Sequence, residues 1–216
     1  MRVLHIEASP RRQRSGSSLL AAEFLERVSG LNPVVEVDHL DVWAERLPEF
    51  DGAALEARYN RLAGKPWTAE QQDAWNSIEM LVQRVDRADA ILVSTPMWNL
   101  GIPYRLKHLI DVVTQPGLSF RFELGVGFTP LLRNRPVAAI VTSSGDFSTG
   151  ESYGRPDLAG VYLQAAFRFI GLDSMNVVRV EPTVGPSEAV EGGRALARAK
   201  LAVIAARFAG IAPVAS

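Results

Sequence analysis

The chain has 216 residues, 47% of them hydrophobic and 22% charged, which suits one α/β domain with a sizeable core and argues against a disordered chain. Lysine and arginine number 23 against 24 aspartates and glutamates, so a net charge of −1 offers no long-range pull on nucleic acid or an anionic membrane. The lack of cysteine excludes disulfides, thiolate metal sites, cysteine nucleophiles and iron–sulfur ligation.

In chain order, Arg2–Ala8 reads as a first strand rather than an export signal, and a cytoplasmic location is expected. Leu20, Phe24 and Val28 then repeat at helical spacing, and Gly30 is placed to end that helix in the left-handed C′ position. Val34–Leu40 reads as a second strand. Residues 43–65 are poorly periodic, with one helix over Gly52–Leu62. Thr68-Ala-Glu-Gln71 has the form of a capping box, and Trp75, Ile78, Val82 and Val85 form one face of the helix it starts, which runs to Arg87. Ala90–Thr95 is a continuous apolar run, and Pro103 opens the next helix, with Ile102, Leu106, Leu109, Ile110 and Val113 as its stripe. Residues 115–134 lack a helix period and suggest a short hairpin or lid. Pro136–Thr142 is a fourth strand, Leu158–Gly171 a helix, Met175–Glu181 a fifth strand and Ser187–Phe208 a closing helix weakened by Gly192 and Gly193. The apolar stretches 88–104 and 201–216 are both interrupted, so neither is a membrane span of ~18 residues.

Strands alternating with helices, and strands that are apolar throughout, predict a doubly wound five-stranded parallel sheet covered on both faces. The order 2-1-3-4-5 puts the ligand beyond the carboxyl ends of strands 1 and 3. Three loops therefore matter: 9–18, 96–101 and 143–150. The first ends in Ser15-Gly-Ser-Ser18, hydroxyls and a glycine at a helix N-terminus, where an anion is favoured; the plain alternative is a helix cap by Ser15 or Ser17 with Arg11, Arg12 and Arg14 in solvent. It has neither the Gly-Lys-Ser/Thr of a P-loop nor dinucleotide glycine spacing. The second loop, Pro96-Met-Trp-Asn-Leu-Gly101, offers flat and polarisable groups that suit a planar heterocycle, unless Met97 and Trp98 simply pack between helices. The third, around Ser143-Ser-Gly-Asp146, has the small residues that close backbone approach requires, or is a surface turn.

Ser9 with Ser15-Gly-Ser17, Trp67-Thr-Ala-Glu-Gln-Gln72, Pro96-Met-Trp-Asn99, Ile102-Pro103, Leu106-Lys107 and Gly117-Leu-Ser-Phe-Arg-Phe122 together resemble the flavodoxin-like FMN-dependent NAD(P)H:quinone oxidoreductases, above all the FMN-dependent NADH azoreductases. The resemblance spans nearly the whole chain, which then reads as a single FMN-binding domain over residues 1–216. It implies FMN phosphate held at Ser9, Ser15, Gly16 and Ser17, and the flavin ring met by Pro96, Met97, Trp98, Asn99 and Leu100. It further implies contacts from Ser143, Ser144, Gly145 and Asp146, where the family usually has an arginine and paired glycines. Phe122 is implied at the substrate space, in a pocket built by two subunits of a homodimer. NADH or NADPH would donate to the flavin, and a quinone or azo compound would accept two electrons in a ping-pong sequence, with no side-chain nucleophile and no metal.

A Ser-His-Asp hydrolase would draw its histidine from a late loop, but none follows His108, and no metal spacing joins His5, His39 and His108. A phosphorylated receiver domain would need an aspartate where the third strand ends in Ser94-Thr-Pro96. A flavodoxin-type electron carrier and a flavin-binding regulatory protein share all three loops and remain as alternatives.

Overall fold

The structure is a computed structural model that describes residues 1–211, so the end of the apolar stretch 201–216 and of the expected 1–216 domain lie outside the described residues. The first half comprises β1 (Arg2–Glu7), α1 (Gly16–Leu31), β2 (Glu36–Asp41), α2 (Gly52–Leu62), α3 (Ala69–Asp86), β3 (Ala90–Pro96) and α4 (Tyr104–Val113). The second comprises β4 (Phe120–Glu123), β5 (Gly127–Pro130), β6 (Val137–Thr142), β7 (Glu151–Ser152), β8 (Arg155–Pro156), α5 (Leu158–Phe169), β9 (Met175–Val180) and α6 (Ser187–Phe208). The long strands pair in parallel in the order β2-β1-β3-β6-β9, which is the expected 2-1-3-4-5 once the two short hairpins are set aside.

Successive strand residues point to opposite faces, and this alternation divides the core. Val3, Leu92, Ile140 and Val178 meet α1 and α6 through Leu20, Phe24, Leu201 and Phe208. Leu4, Ile6, Ile91, Val93 and Val141 meet the other helices through Trp75, Ile78, Leu106 and Leu163. Both faces are covered, as uniformly apolar strands require.

The helix starts follow local chemistry. Thr68 Oγ1 accepts the Gln71 N–H at 3.2 Å and Gln71 Oε1 accepts the Thr68 N–H at 3.1 Å, so the capping box forms and Trp75 behind it is fully buried. Asp51 and Asp157 cap α2 and α5 in the same way. Two boundaries differ from expectation. Gly30 stays helical, and α1 runs to Leu31 with Asn32 as its C-cap, three positions beyond the cap that Gly30 at C′ would have set, because Asn32 donates its N–H to Val28 O and its side-chain amide to Ala209 O at 2.8 Å. Pro103 precedes α4 in extended backbone (ψ 143°) rather than forming its first turn. Segment 115–134 is the expected hairpin, β4 against β5. The smaller β7–β8 hairpin was not foreseen, since two-residue strands are too short to show alternation.

That larger hairpin lies away from the carboxyl edge of the sheet. Phe120 and Phe128 pack on Phe169 at the end of α5, with ring centres 4.8 and 5.4 Å apart, and Leu132 N donates to Ile170 O. The opposite end of α5 begins beside the second loop, where Leu158 N donates to Leu100 O at 3.1 Å. Twelve helical residues separate these ends by about 18 Å.

The buried Arg135 fastens the amino edge. Its guanidinium donates to Val85 O (3.1 Å), Ala88 O (2.6 Å), Arg133 O (2.7 Å) and the Asp86 carboxylate (2.8 Å), consuming carbonyls that the end of α3 leaves open. Arg135→Met strands several of these acceptors and is expected to cost about 2–3 kcal/mol, read as a lower urea midpoint with an unchanged slope.

Candidate functional site

At the carboxyl edge the loops leave the sheet side by side, because each strand end donates one more backbone bond to its neighbour. Ala8 N donates to Ser94 O (2.8 Å), Met97 N to Thr142 O (2.7 Å) and Ser143 N to Val180 O (3.3 Å). From β1 the chain turns to α1 on one face, and from β3 to α4 on the other, so the crevice between these strand ends is the switch point of the sheet.

The first loop arches through a short 3-10 turn, Arg12–Arg14, with Arg12 in the left-handed region at φ 48°. Arg12 Nε donates to Asp41 Oδ2 at 2.9 Å and ties the arch to the end of β2. Ser9, Ser15 and Ser17 are buried beneath it, with Ser15 and Ser17 hydroxyls 3.0 Å apart. Ser15 occupies the N-cap position of α1, yet its side chain bonds no amide behind it, and the first turn holds no acidic residue. The capping alternative therefore does not occur. An uncapped helix N-terminus ringed by hydroxyls can hold a phosphate, since unpaired N–H groups and the helix dipole both favour an anion there. Arg11 and Arg14 are exposed on the same arch.

The second loop is a two-residue turn. Trp98 and Gly101 exchange both backbone hydrogen bonds, at 2.9 and 3.0 Å, across Asn99 (φ 48°) and Leu100 (φ 72°). A left-handed leucine is strained by about 1–3 kcal/mol, and such strain collects where a ligand is gripped. Met97 packs partly on the core beneath and keeps part of its surface open. Trp98 keeps 37% of its surface exposed and leans on Trp43, which donates its indole N–H to Ala8 O at 3.1 Å and meets Tyr104 edge-on. Trp43 and Tyr104 are site-lining aromatics that the sequence reading missed. Trp43 lies in an aperiodic stretch, and only the fold brings it beside Ala8.

The third loop is fixed rather than a free surface turn. Thr183 donates both its N–H and its hydroxyl to Ser143 O at 2.9 Å. A Cβ on Gly145 would stand 2.6 Å from Ser152 Oγ and 3.3 Å from the Phe147 ring, so a larger residue there must displace Ser152. Asp146 accepts the Ser148 N–H at 2.8 Å, and its bonds to the Ser148 hydroxyl and amide hold its carboxyl below the usual range. Ser144 and Asp146 are exposed. Glu181, also missed from sequence, accepts from Ser143 Oγ at 2.9 Å. Phe122 does not join this group: it is 57% exposed on the β4–β5 hairpin, at the far end of α5.

A cavity of about 750 Å³ flanks the first loop on the α1 side of β1 and β2. Its buried floor holds His5, whose Nε2 lies 2.9 Å from Ser94 Oγ, and the exposed His39 stacks on it at 5.1 Å with Nε2 2.9 Å from Glu7 Oε2. His108 meets Pro48 O. Among the described residues no cluster of histidine and carboxylate could hold a metal ion, and no helix is long and apolar enough to cross a membrane.

Residues 1–203 match a family model described as a flavodoxin-like fold. The chain is 41% identical over 207 residues to FMN-dependent NADH:quinone oxidoreductase 1 of Bradyrhizobium diazoefficiens, covering 96% of this chain and 99% of that one. It is also 41% identical over 208 residues to FMN-dependent NADH:quinone oxidoreductase 2 of Pseudomonas syringae pv. tomato, covering 95% and 98%. In fold it is similar to an FMN-dependent NADH-azoreductase from Bacillus anthracis solved in complex with FMN, with TM-score 0.83, 24% identity and 96% and 99% of the two chains covered.

Burial pushes the His5 value from 6.5 down to about 3, helped by the neighbouring His39. The unfolded chain therefore takes up this proton first, so stability is complete above about pH 6.5 and falls as the pH drops towards 3. His5→Gln should flatten the stability–pH slope in that window by up to one proton, measured from urea midpoints of parent and variant.

Proposed function

The chain belongs to the flavodoxin-like family of FMN-dependent NADH:quinone oxidoreductases and is an oxidoreductase; on that footing we propose that it passes two electrons from NADH through bound FMN to a quinone or azo acceptor. The observation that carries this reading is the convergence, at one switch point, of an uncapped helix N-terminus lined by buried serines and a strained turn presenting a tryptophan. The whole chain is then one FMN-binding domain, acting in the cytoplasm. Ser9, Ser15, Gly16 and Ser17 hold the phosphate, Pro96 to Leu100 flank the flavin ring, and Ser143 to Asp146 close its third side.

Once bound, FMN supplies the redox chemistry, accepting a hydride equivalent from the nicotinamide and delivering it to the acceptor. The protein binds, orients and excludes water. Micromolar retention of FMN corresponds to about 8 kcal/mol, whereas one hydrogen bond to a charged group contributes about 1.5–3 kcal/mol. Phosphate contacts alone leave too little after the entropy of binding, so ring burial against Trp98 and the third loop supplies the rest. With FMN bound, the N–H groups of Asn99, Leu100, Ser144 and Gly145 would be the ones able to stabilise negative charge on the ring, since those of Met97, Trp98, Gly101 and Ser143 are bonded within the backbone. Donor and acceptor use one space in turn. NADPH serves as a second donor through Arg11 and Arg14, since Arg12 is engaged with Asp41.

Phe122 enters this scheme through a second copy. Its hairpin packs at the far end of α5, a helix about 18 Å long whose start touches the second loop, and exposes Phe122, Leu124, Val126 and Phe128. A homodimer that sets this hairpin over the partner's flavin covers those side chains and completes the substrate space.

Ser17→Ala should weaken FMN binding about tenfold in an equilibrium fluorescence titration while leaving the far-UV spectrum unchanged; parent-like affinity would remove the phosphate from this loop. Double-reciprocal plots for NADH and a quinone should give parallel lines, whereas intersecting lines would replace alternating occupancy with a ternary complex. An FMN-loaded protein that consumes almost no NADH with a quinone would be a carrier, and one without turnover in any acceptor screen a flavin-binding regulatory protein.

A further inference from the structure

Glu181 leaves the end of β9 at the point where the third loop needs support. Its carboxylate lies 2.9 Å from Ser143 Oγ, whose single proton it shares with Gly145 O at 2.8 Å, and the nearby Phe147 N–H favours its charged form, so it stands beneath the segment 143–147. Its own backbone is clamped from behind: a Cβ on Gly193 of α6 would stand 2.1 Å from Glu181 O, so only glycine lets the helix seat this closely. We propose that Glu181 is a positioning residue, which holds the loop 143–147 in the shape that receives the flavin and is not required for the fold itself. This deepens the FMN reading and rests on it.

The cost of the carboxylate supports a functional use. Half-burial raises the Glu181 carboxyl above its ordinary value, against the pull of Ser143, the Phe147 amide and Arg179. A raised acid value means that the charged form is disfavoured by folding, so the charge subtracts from stability as pH rises through that value. The surrounding charges do not reverse this. Arg179 is engaged with Asp157, Asp146 repels the carboxylate, and Lys200 of α6 lines the same cavity of about 380 Å³ without bonding it. A neutral isostere would relieve the burden, yet an ionised acceptor draws the single Ser143 proton away from Gly145 O more firmly than an amide oxygen does.

The experiment compares parent and Glu181→Gln. Near neutral pH the variant apoprotein should melt at the same temperature or higher, while FMN, titrated by fluorescence quenching, binds about five- to tenfold more weakly. In the apoprotein the Phe147 amide should exchange several-fold faster. Parent affinity for FMN should decline as pH falls through the Glu181 titration, and the variant should lack that step. Unchanged affinity and unchanged exchange in the variant would overturn the proposal, as would a fall in melting temperature that tracks the loss of affinity, which marks a purely structural role. A well-folded parent that takes up no FMN at all would instead overturn the functional reading, and this inference with it.

Discussion

Everything at the functional edge depends on the backbone ladder of the parallel sheet continuing one residue past each strand. The bonds from Ala8 to Ser94, Met97 to Thr142 and Ser143 to Val180 lock three loop origins to one another at hydrogen-bond spacing. No side chain in the loops could impose that alignment, because loops close slowly in entropy and tolerate many shapes. The ladder can do so because its strands are buried on both faces and cannot slip without expelling Val3, Leu4, Ile140 and Val141 from their two cores.

With the origins fixed, the edge can carry features that weaken a free-standing protein. Arg12, Asn99 and Leu100 sit in left-handed backbone, α1 starts without a side-chain cap, and Glu181 keeps a carboxyl half-buried where burial disfavours its charge. The opposite edge is over-determined by contrast. Arg135 ties α3 to β6, and Gly171, at φ 105°, lets Leu132 O approach within a distance no Cβ would allow. Strain at one edge and tight fastening at the other are what a preorganised binding site on a rigid scaffold requires.

The helix α5 sets the distance between the two edges. One end rests on Leu100 and the other on the aromatic hairpin that carries Phe122, so hairpin and crevice meet opposite ends of the helix. In the proposed homodimer this separation is used, because a residue at the wrong edge of one chain becomes available at the right edge of the next.

Much of this was written in local patterns. The five strands, the helix Gly52–Leu62, the capping box at Thr68, the hairpin in 115–134 and the three loops all follow from apolar period, cap chemistry and turn residues acting over a few positions. The family was legible in short motifs, because residues that meet a cofactor are constrained in type and spacing. Other facts needed the folded chain. Gly30 failed as a helix stop because Asn32 reaches Ala209, a partner far along the sequence. Leu100 gave no sign of left-handed backbone, since its strain is imposed by its neighbours and not by its own preference. Trp43 and Glu181 were missed for the same reason: each matters through what long-range packing brings beside it, Ala8 in one case and Ser143 in the other. Sequence determined which segments would become strands, helices and loops, because those choices are made by nearest neighbours. Only the tertiary structure decided which helix end would stay uncapped, which side chains would brace the loops and which aromatic would be left outside, because those outcomes depend on contacts between residues that the chain itself keeps far apart.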